Sequence, residues 1–240
     1  MDRLIYLSMS GAKATLQRQD VLANNLANAS TNGFRAEMAA FRAVPVLGDG
    51  ASTRVYALET TLGYDATPGP VQSTGRSLDV AMAGNGWLAV QGLDGTEAYT
   101  RAGALQLDSA GQLVTPGGLP VLGDGGPITL PAGASVSVAA DGTVMSTVGE
   151  ARPQAAGRLK LVTPEAPLVR GNDGLFRAAD GDLPADPAAR LQSGALEGSN
   201  VNPVEAMVSM ISAARQFEHQ MKMLKDAEER EKTAAKLLSG

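Results

Sequence analysis

The sequence predicts an α+β fold in which long N- and C-terminal helices pair as a coiled coil and bracket an all-β central body. Three observations predict it. Residues Asp2 to Ala29, and Pro203 to about Leu238, each carry apolar residues at helical spacing. Of the 28 glycines and 13 prolines, 25 and 12 fall between residues 45 and 198. That same stretch alternates apolar and polar residues in short runs separated by turn dipeptides, as strands do. The expected division is residues 1–35 with 200–240 as a helical inner (assembly) domain, and 36–199 as a β-rich outer body.

In the first helix, Ile5, Met9, Ala12, Leu16, Gln19, Leu22 and Leu26 follow one another at steps of three and four. That spacing makes one narrow seam with nearly heptad periodicity. The helix is expected to stop within Asn28-Ala29-Ser30-Thr31-Asn32-Gly33, because Asn and Gly tolerate the left-handed conformation that ends helices. Gly33 is expected to take positive φ, and Phe34 supplies an apolar anchor just past the stop. The second helix starts more sharply. Asn202 suits the N-cap, Pro203 the first helical position, and Glu205 the third, a capping-box arrangement with Asn in the Ser/Thr role. Met207, Met210, Ala214, Phe217, Met221 and Leu224 then form a second narrow seam. A helix lying on its own core usually shows a wider apolar stripe. The tail Lys225–Lys232 alternates charge and reads as a solvated helix end.

The middle reads as short strands and tight turns. Leu78, Val80 and Met82 lead through Gly84-Asn85-Gly86, read as a hairpin turn, to Trp87–Val90. Leu105 and Leu107 turn at Ser109-Ala110-Gly111 and return through Leu113. Val136 and Val138 turn at Asp141-Gly142 and return through Val144; Leu159 and Leu161 alternate; Asn172-Asp173-Gly174 precedes Leu175-Phe176. Gly48-Asp49-Gly50 and Thr67–Pro70 read as loops. The hexapeptide PVLGDG occurs at Pro45–Gly50 and again at Pro120–Gly125, a coincidence too short to argue duplication.

Composition narrows the function. Net charge is −5, but residues 1–35 carry +2 and residues 200–240 carry zero, so the middle carries about −7. Near-neutral ends can associate without strong repulsion, and no basic face for nucleic acid is expected. Aromatics are 4%, so the core must be built from Val, Leu, Met and Ala. The absence of cysteine excludes disulfides and thiolate metal sites. No basic leader precedes an apolar run, the longest being Leu4–Leu7, so neither a cleaved secretory signal nor membrane insertion is expected. The protein would be cytoplasmic or leave by a route needing no such signal.

No catalytic, cofactor or metal residue is expected. Gly84-x-Gly86-x-x-Ala89 has dinucleotide-fingerprint spacing, but Trp87–Val90 continues as a strand where that motif needs a helix. His219 is the only histidine and sits in a helix, which makes a metal site or a Ser-His-Asp arrangement improbable and a surface or interface role the expectation.

The segment Asn24-Asn25-Leu26-Ala27-Asn28-Ala29-Ser30-Thr31-Asn32-Gly33-Phe34-Arg35 resembles the N-terminal motif of the flagellar rod and hook proteins. Ser193 to Met207, with Asn200, Asn202 and Pro203 inside it, is similar to their second signature. Ser77–Ala81 with Gly86-Trp87-Leu88, Tyr99-Thr100-Arg101 and Gly157–Val162 extend the likeness through the middle. Arg42–Val46, Asp173–Arg177, Ala214–Glu218 and Gln220–Lys222 resemble the proximal-rod members in particular. The likeness runs from Met1 to about Leu224; the last fifteen or so residues match no motif of the family. It implies terminal helices paired in a coiled-coil inner domain and a structural, non-enzymatic subunit without cofactors. Such a subunit polymerises helically through those helices and transmits torque across the periplasm in the proximal rod of the basal body. Its partners would be copies of itself, other proximal and distal rod proteins, and the flagellar type III export apparatus, which exports it without a cleaved signal peptide. The implied assembly residues are Ile5, Met9, Leu16, Leu22, Asn24, Asn25, Leu26, Asn28, Gly33, Phe34, Asn200, Asn202, Pro203, Met207, Met210, Phe217, Met221 and Leu224. The alternatives are a distal rod subunit and, from another class, a β-rich surface binding protein whose helices pack on its own body; an enzyme comes third. The narrow seams discriminate: a monomer should cover them, whereas a polymer subunit leaves them for neighbours.

Overall fold

Helix α1 covers Asp2–Ala27 and helix α2 covers Pro203–Leu238. The computed structural model describes residues 2–45, 55–131 and 133–238. At the start of α2 the Asn202 side-chain oxygen accepts the amides of Val204 (3.1 Å) and Glu205 (3.3 Å), two of the donors a helix N-terminus leaves unpaired. Asn202→Ala is expected to cost about 1 kcal/mol. Faster amide exchange at Val204 and Glu205, with the β body unaffected, is the measurement; unchanged exchange would show that the cap contributes nothing.

α1 stops two residues before Ala29, the expected end. The Asn28 side-chain amide donates to the Asn24 carbonyl (2.9 Å), which also accepts the Asn28 backbone amide (3.1 Å). An Asn side chain that competes for backbone groups in this way favours a helix end over its continuation. Gly33 then turns the chain with φ 70°, the positive value its place in the motif predicts.

The chain forms two compact units, each discontinuous in sequence. One comprises residues 1–29, 36–65 and 201–240, the other 30–35 and 66–200. These boundaries differ from a division at 35/36. Strands β1 (Glu37–Pro45) and β2 (Val55–Tyr64), an antiparallel ribbon with a bulge at Met38/Ala39, group with the helices rather than with the β body. The cause lies in α1. Buried Asn25 donates to the Glu37 carbonyl (2.9 Å) and accepts the Glu37 amide (2.8 Å), so its carboxamide pairs with β1 as a neighbouring strand would. Asn24 adds a bond to the Glu37 carboxylate (3.1 Å).

Within the helical unit α1 and α2 pack against one another. Apart from Asn25, their buried side chains among the described residues are small: Ser8, Ala12, Ala14 and Thr15 on α1, Ala206 and Ala213 on α2. A Cβ at Gly11 would lie 2.9 Å from the Gln220 side-chain nitrogen, so the helix surface there accepts nothing larger than glycine without a shift.

The second unit is antiparallel β throughout its described strands. A five-stranded sheet runs in the order Leu161–Val162, Trp87–Gln91, Glu97–Thr100, Phe176–Arg177, Val169–Arg170. A three-stranded sheet runs Ser135–Val138, Thr143–Thr147, Gln154–Arg158. Val80, Leu88, Val90, Leu105, Leu113, Val121, Val144 and Leu159 fill one apolar core. The turns at Ser109–Gly111, Asp141-Gly142 and Asn172–Gly174 join paired strands, as their sequences predict.

The Gly84–Gly86 turn corrects its reading as a hairpin. Val80–Met82 pairs with Leu191–Ser193, while Trp87–Gln91 belongs to the five-stranded sheet. Val80, Ala81 and Met82 are all buried, as are Trp87 to Val90, so neither strand has the solvent face a simple hairpin would leave. The Gly48–Gly50 loop, with the first PVLGDG copy beyond Pro45, lies outside the described residues; the second copy contains the short strand Leu122–Gly123.

Candidate functional site

On the helical unit several large apolar residues of the two seams face outward. Met9, Leu16, Met207 and Met221 are exposed; Leu22, Leu26, Met210, Phe217 and Leu224 are half-buried. The side chain of Ile5 lies outside the described residues. The periodicity missed a further group: Val204, Val208 and Ile211, each more than half exposed, stand with Met207 at i, i+3, i+4 and i+7 on α2. Four exposed apolar side chains on one helical face make a surface of the kind that marks an interaction site.

The polar part of the N-terminal motif divides between the units. Asn24, Asn25 and Asn28 brace the end of α1, whereas Gly33 and Phe34 are buried in the β body. There the body holds a charge cluster whose members sequence reasoning left without a role. Glu197, Arg101 and Arg35 are each at least 97% buried. Arg101 Nε donates to Glu197 Oε2 (2.8 Å) and Arg101 Nη2 to the same oxygen. Arg35 Nη2 lies 2.7 Å from Glu197 Oε1, which also accepts the Gly69 amide (3.0 Å). The remaining Arg101 donors reach the carbonyls of Gly84 (2.9 Å), Gly86 and Met82 (3.1 Å). The turn with dinucleotide-like spacing thus serves as a carbonyl cradle for a guanidinium. Arg101 also stands 5.9 Å over the Trp87 ring, which packs on Phe176 at 4.7 Å.

The backbone of the motif is paired with equal care. The Gly33 amide donates to the Glu197 carbonyl (2.8 Å), and the Phe34 carbonyl accepts the Asn200 amide (3.3 Å). Asn200 also donates from its side chain to the Thr67 carbonyl (3.0 Å), and Arg35 Nη1 reaches the same oxygen. Arg170 covers the Phe34 ring at 4.6 Å and donates to the Arg35 carbonyl (3.3 Å). In the strand Ala195–Glu197 the pleat sets Glu197 on the side of fully buried Ala195 and leaves Leu196 half-buried, the reverse of what hydropathy alone would choose.

Asn202 and Pro203 are exposed at the head of α2, and His219 is exposed further along it. Among the described residues no group of three or more His, Cys, Asp or Glu side chains is placed to hold a metal, and no helix is long and apolar enough to cross a membrane. Burial raises the Tyr99 phenol well above its ordinary pKa. The neutral hydroxyl donates to Glu97 (2.8 Å) and accepts the Leu183 amide (2.6 Å), a structural brace.

Three family models match this chain. Residues 5–35 match the flagella basal body rod protein model, 81–146 the flagellar hook protein FlgE/F/G D1 domain, and 192–237 the flagellar basal body rod FlgEFG protein C-terminal model. The first and third span the two helices and the segments beside them; the second falls within the β body. These matches place the chain among the rod and hook proteins of the flagellum. It is 50% identical to the flagellar basal-body rod protein FlgF of Salmonella typhimurium and to that of Escherichia coli, over 100% of this chain and 99% of each relative. Identity to the rod protein FlgG of Bacillus subtilis is 33%, over 95% of this chain and 96% of the relative. The chain belongs to the flagellar basal-body rod protein family.

Proposed function

We propose that this chain is a structural subunit of the proximal rod of the flagellar basal body. It polymerises helically through its terminal helices, which pair as a coiled coil, and it transmits torque across the periplasm. The observation that carries this reading is the outward apolar face of α2 at Val204, Met207, Val208 and Ile211. A free-standing protein would cover such a face; a polymer subunit presents it to a neighbour. Half-identity to FlgF over the full chain favours the proximal-rod reading over the distal one. Neighbouring subunits are copies of this chain and other rod proteins, and the flagellar type III apparatus delivers it without a cleaved leader. Torque transmission needs packed, rigid contacts and no chemistry, in keeping with a non-enzymatic role.

Met207→Asp tests the reading. Met207 is half exposed in the single subunit, so the charge costs folding little, whereas burial against a neighbour leaves it unpaired and costly. The secreted variant is expected to fold with wild-type melting yet build no rods, and swarming falls to background. Wild-type swarming would overturn the assignment of this face to assembly.

A further inference from the structure

Gly33-Phe34-Arg35 lies in sequence between α1 and β1, two elements of the helical unit, yet its bonds described above run to the β body. The tripeptide is held as a bound ligand is held. One of its amides and two of its carbonyls bond to the body, its aromatic ring is stacked beneath Arg170, and its guanidinium is seated on a buried carboxylate. We propose that this tripeptide is a detachable latch, and that residues 66–200 keep their fold when it leaves.

The distribution of charge around Glu197 carries the inference. Arg101 engages Oε2 through both Nε and Nη2, while Oε1 keeps the Gly69 amide. With the latch open, the buried carboxylate therefore retains one cation and a donor on each oxygen. Arg35 leaves with its own charge and is solvated outside. Opening strands no buried ion, so the latch can move without the body unfolding. A closed latch makes residues 30–35 part of the body, and an open one turns them into a free linker between α1 and β1. The inference goes beyond the rod reading and does not depend on it.

Amide exchange on the purified full-length chain tests it through Arg35→Ala. The Gly33 and Asn200 amides, bonded to the Glu197 and Phe34 carbonyls, are expected to exchange about 100-fold faster once the charge-assisted bonds of Arg35 are gone. The Ala89, Leu113 and Val121 amides of the body keep wild-type protection. Phe34→Ala is expected to act in the same direction through the Arg170 stack. Loss of protection throughout the body, or an Arg35→Ala chain that does not fold, would overturn the proposal by making the segment an integral part of the core. Wild-type protection at Gly33 and Asn200 would overturn it equally, because Arg35 would then not be what holds the latch.

Discussion

Replacing Glu197 by alanine is expected to unfold the β body at temperatures where the wild-type body is stable. The substitution leaves the Arg101 guanidinium, held inside the body by three carbonyls, buried without its counter-ion. Removing one partner of a buried ion pair costs ~3–5 kcal/mol, far more than the pair itself contributes. In a body of this size the melting temperature should drop by on the order of 10 °C. Trp87, the single tryptophan, reports it directly, because its ring packs on Phe176 and under Arg101. Its near-ultraviolet circular dichroism should vanish in the same transition. Glu197→Gln keeps the shape and one acceptor and should fall between the two. An alanine variant that melts within a few degrees of wild type would show that water reaches the Arg101 guanidinium and that the cluster is not what closes the body.

Gly33→Val, and Gly33→Ala as well, should leave the subunit exported and its body folded, with few copies incorporated into rods and motility near background. Positive φ by itself would cost a side chain about 1 kcal/mol or more. Contact decides the larger part. A Cβ on Gly33 would stand 2.2 Å from the Arg101 carbonyl carbon and 2.4 Å from the Ala102 nitrogen. Those are backbone atoms, and Arg101 is fixed by bonds to three carbonyls and Glu197, so the glycine segment must give way. Even a methyl group is therefore expected to undock it. Ala29→Ser, a mild change four residues upstream, should be silent. Counting rods by fractionation beside a swarm assay separates the outcomes; Gly33→Ala rods at wild-type abundance would refute the close approach.

Local signals were legible wherever one short segment held all the information. Asn202-Pro203 marked the head of α2, Gly33 marked the left-handed exit after α1, and Asp141-Gly142 marked a hairpin. Signals failed where burial came from elsewhere in the chain. The turn at Gly84–Gly86 has hairpin chemistry, but its flanking strands are covered on both faces and pair with Leu191–Ser193 and Glu97–Thr100 instead. On α1 the buried positions include Ala12 and Thr15 while Met9 and Leu16 of the expected seam point out; periodicity finds a face and cannot say what covers it. The ribbon β1–β2 joins the helices through the Asn25 side chain, a contact with no pattern of its own. The charge cluster was the least legible. Each of its three residues, taken alone, reads as an ordinary solvated charge, and their meeting depends on segments that are far apart in sequence.

The discontinuity of the two units has a kinetic meaning. α1 must wait for α2, so the helical unit depends on contacts that close nearly the whole chain, and the tripeptide at Arg35 must wait for Glu197 before it can dock. Such topology places this protein at the slow, high-contact-order end of folding. For a chain threaded N-terminus first through any narrow channel, the β body cannot complete itself before Glu197 emerges, nor the helical unit before α2 does.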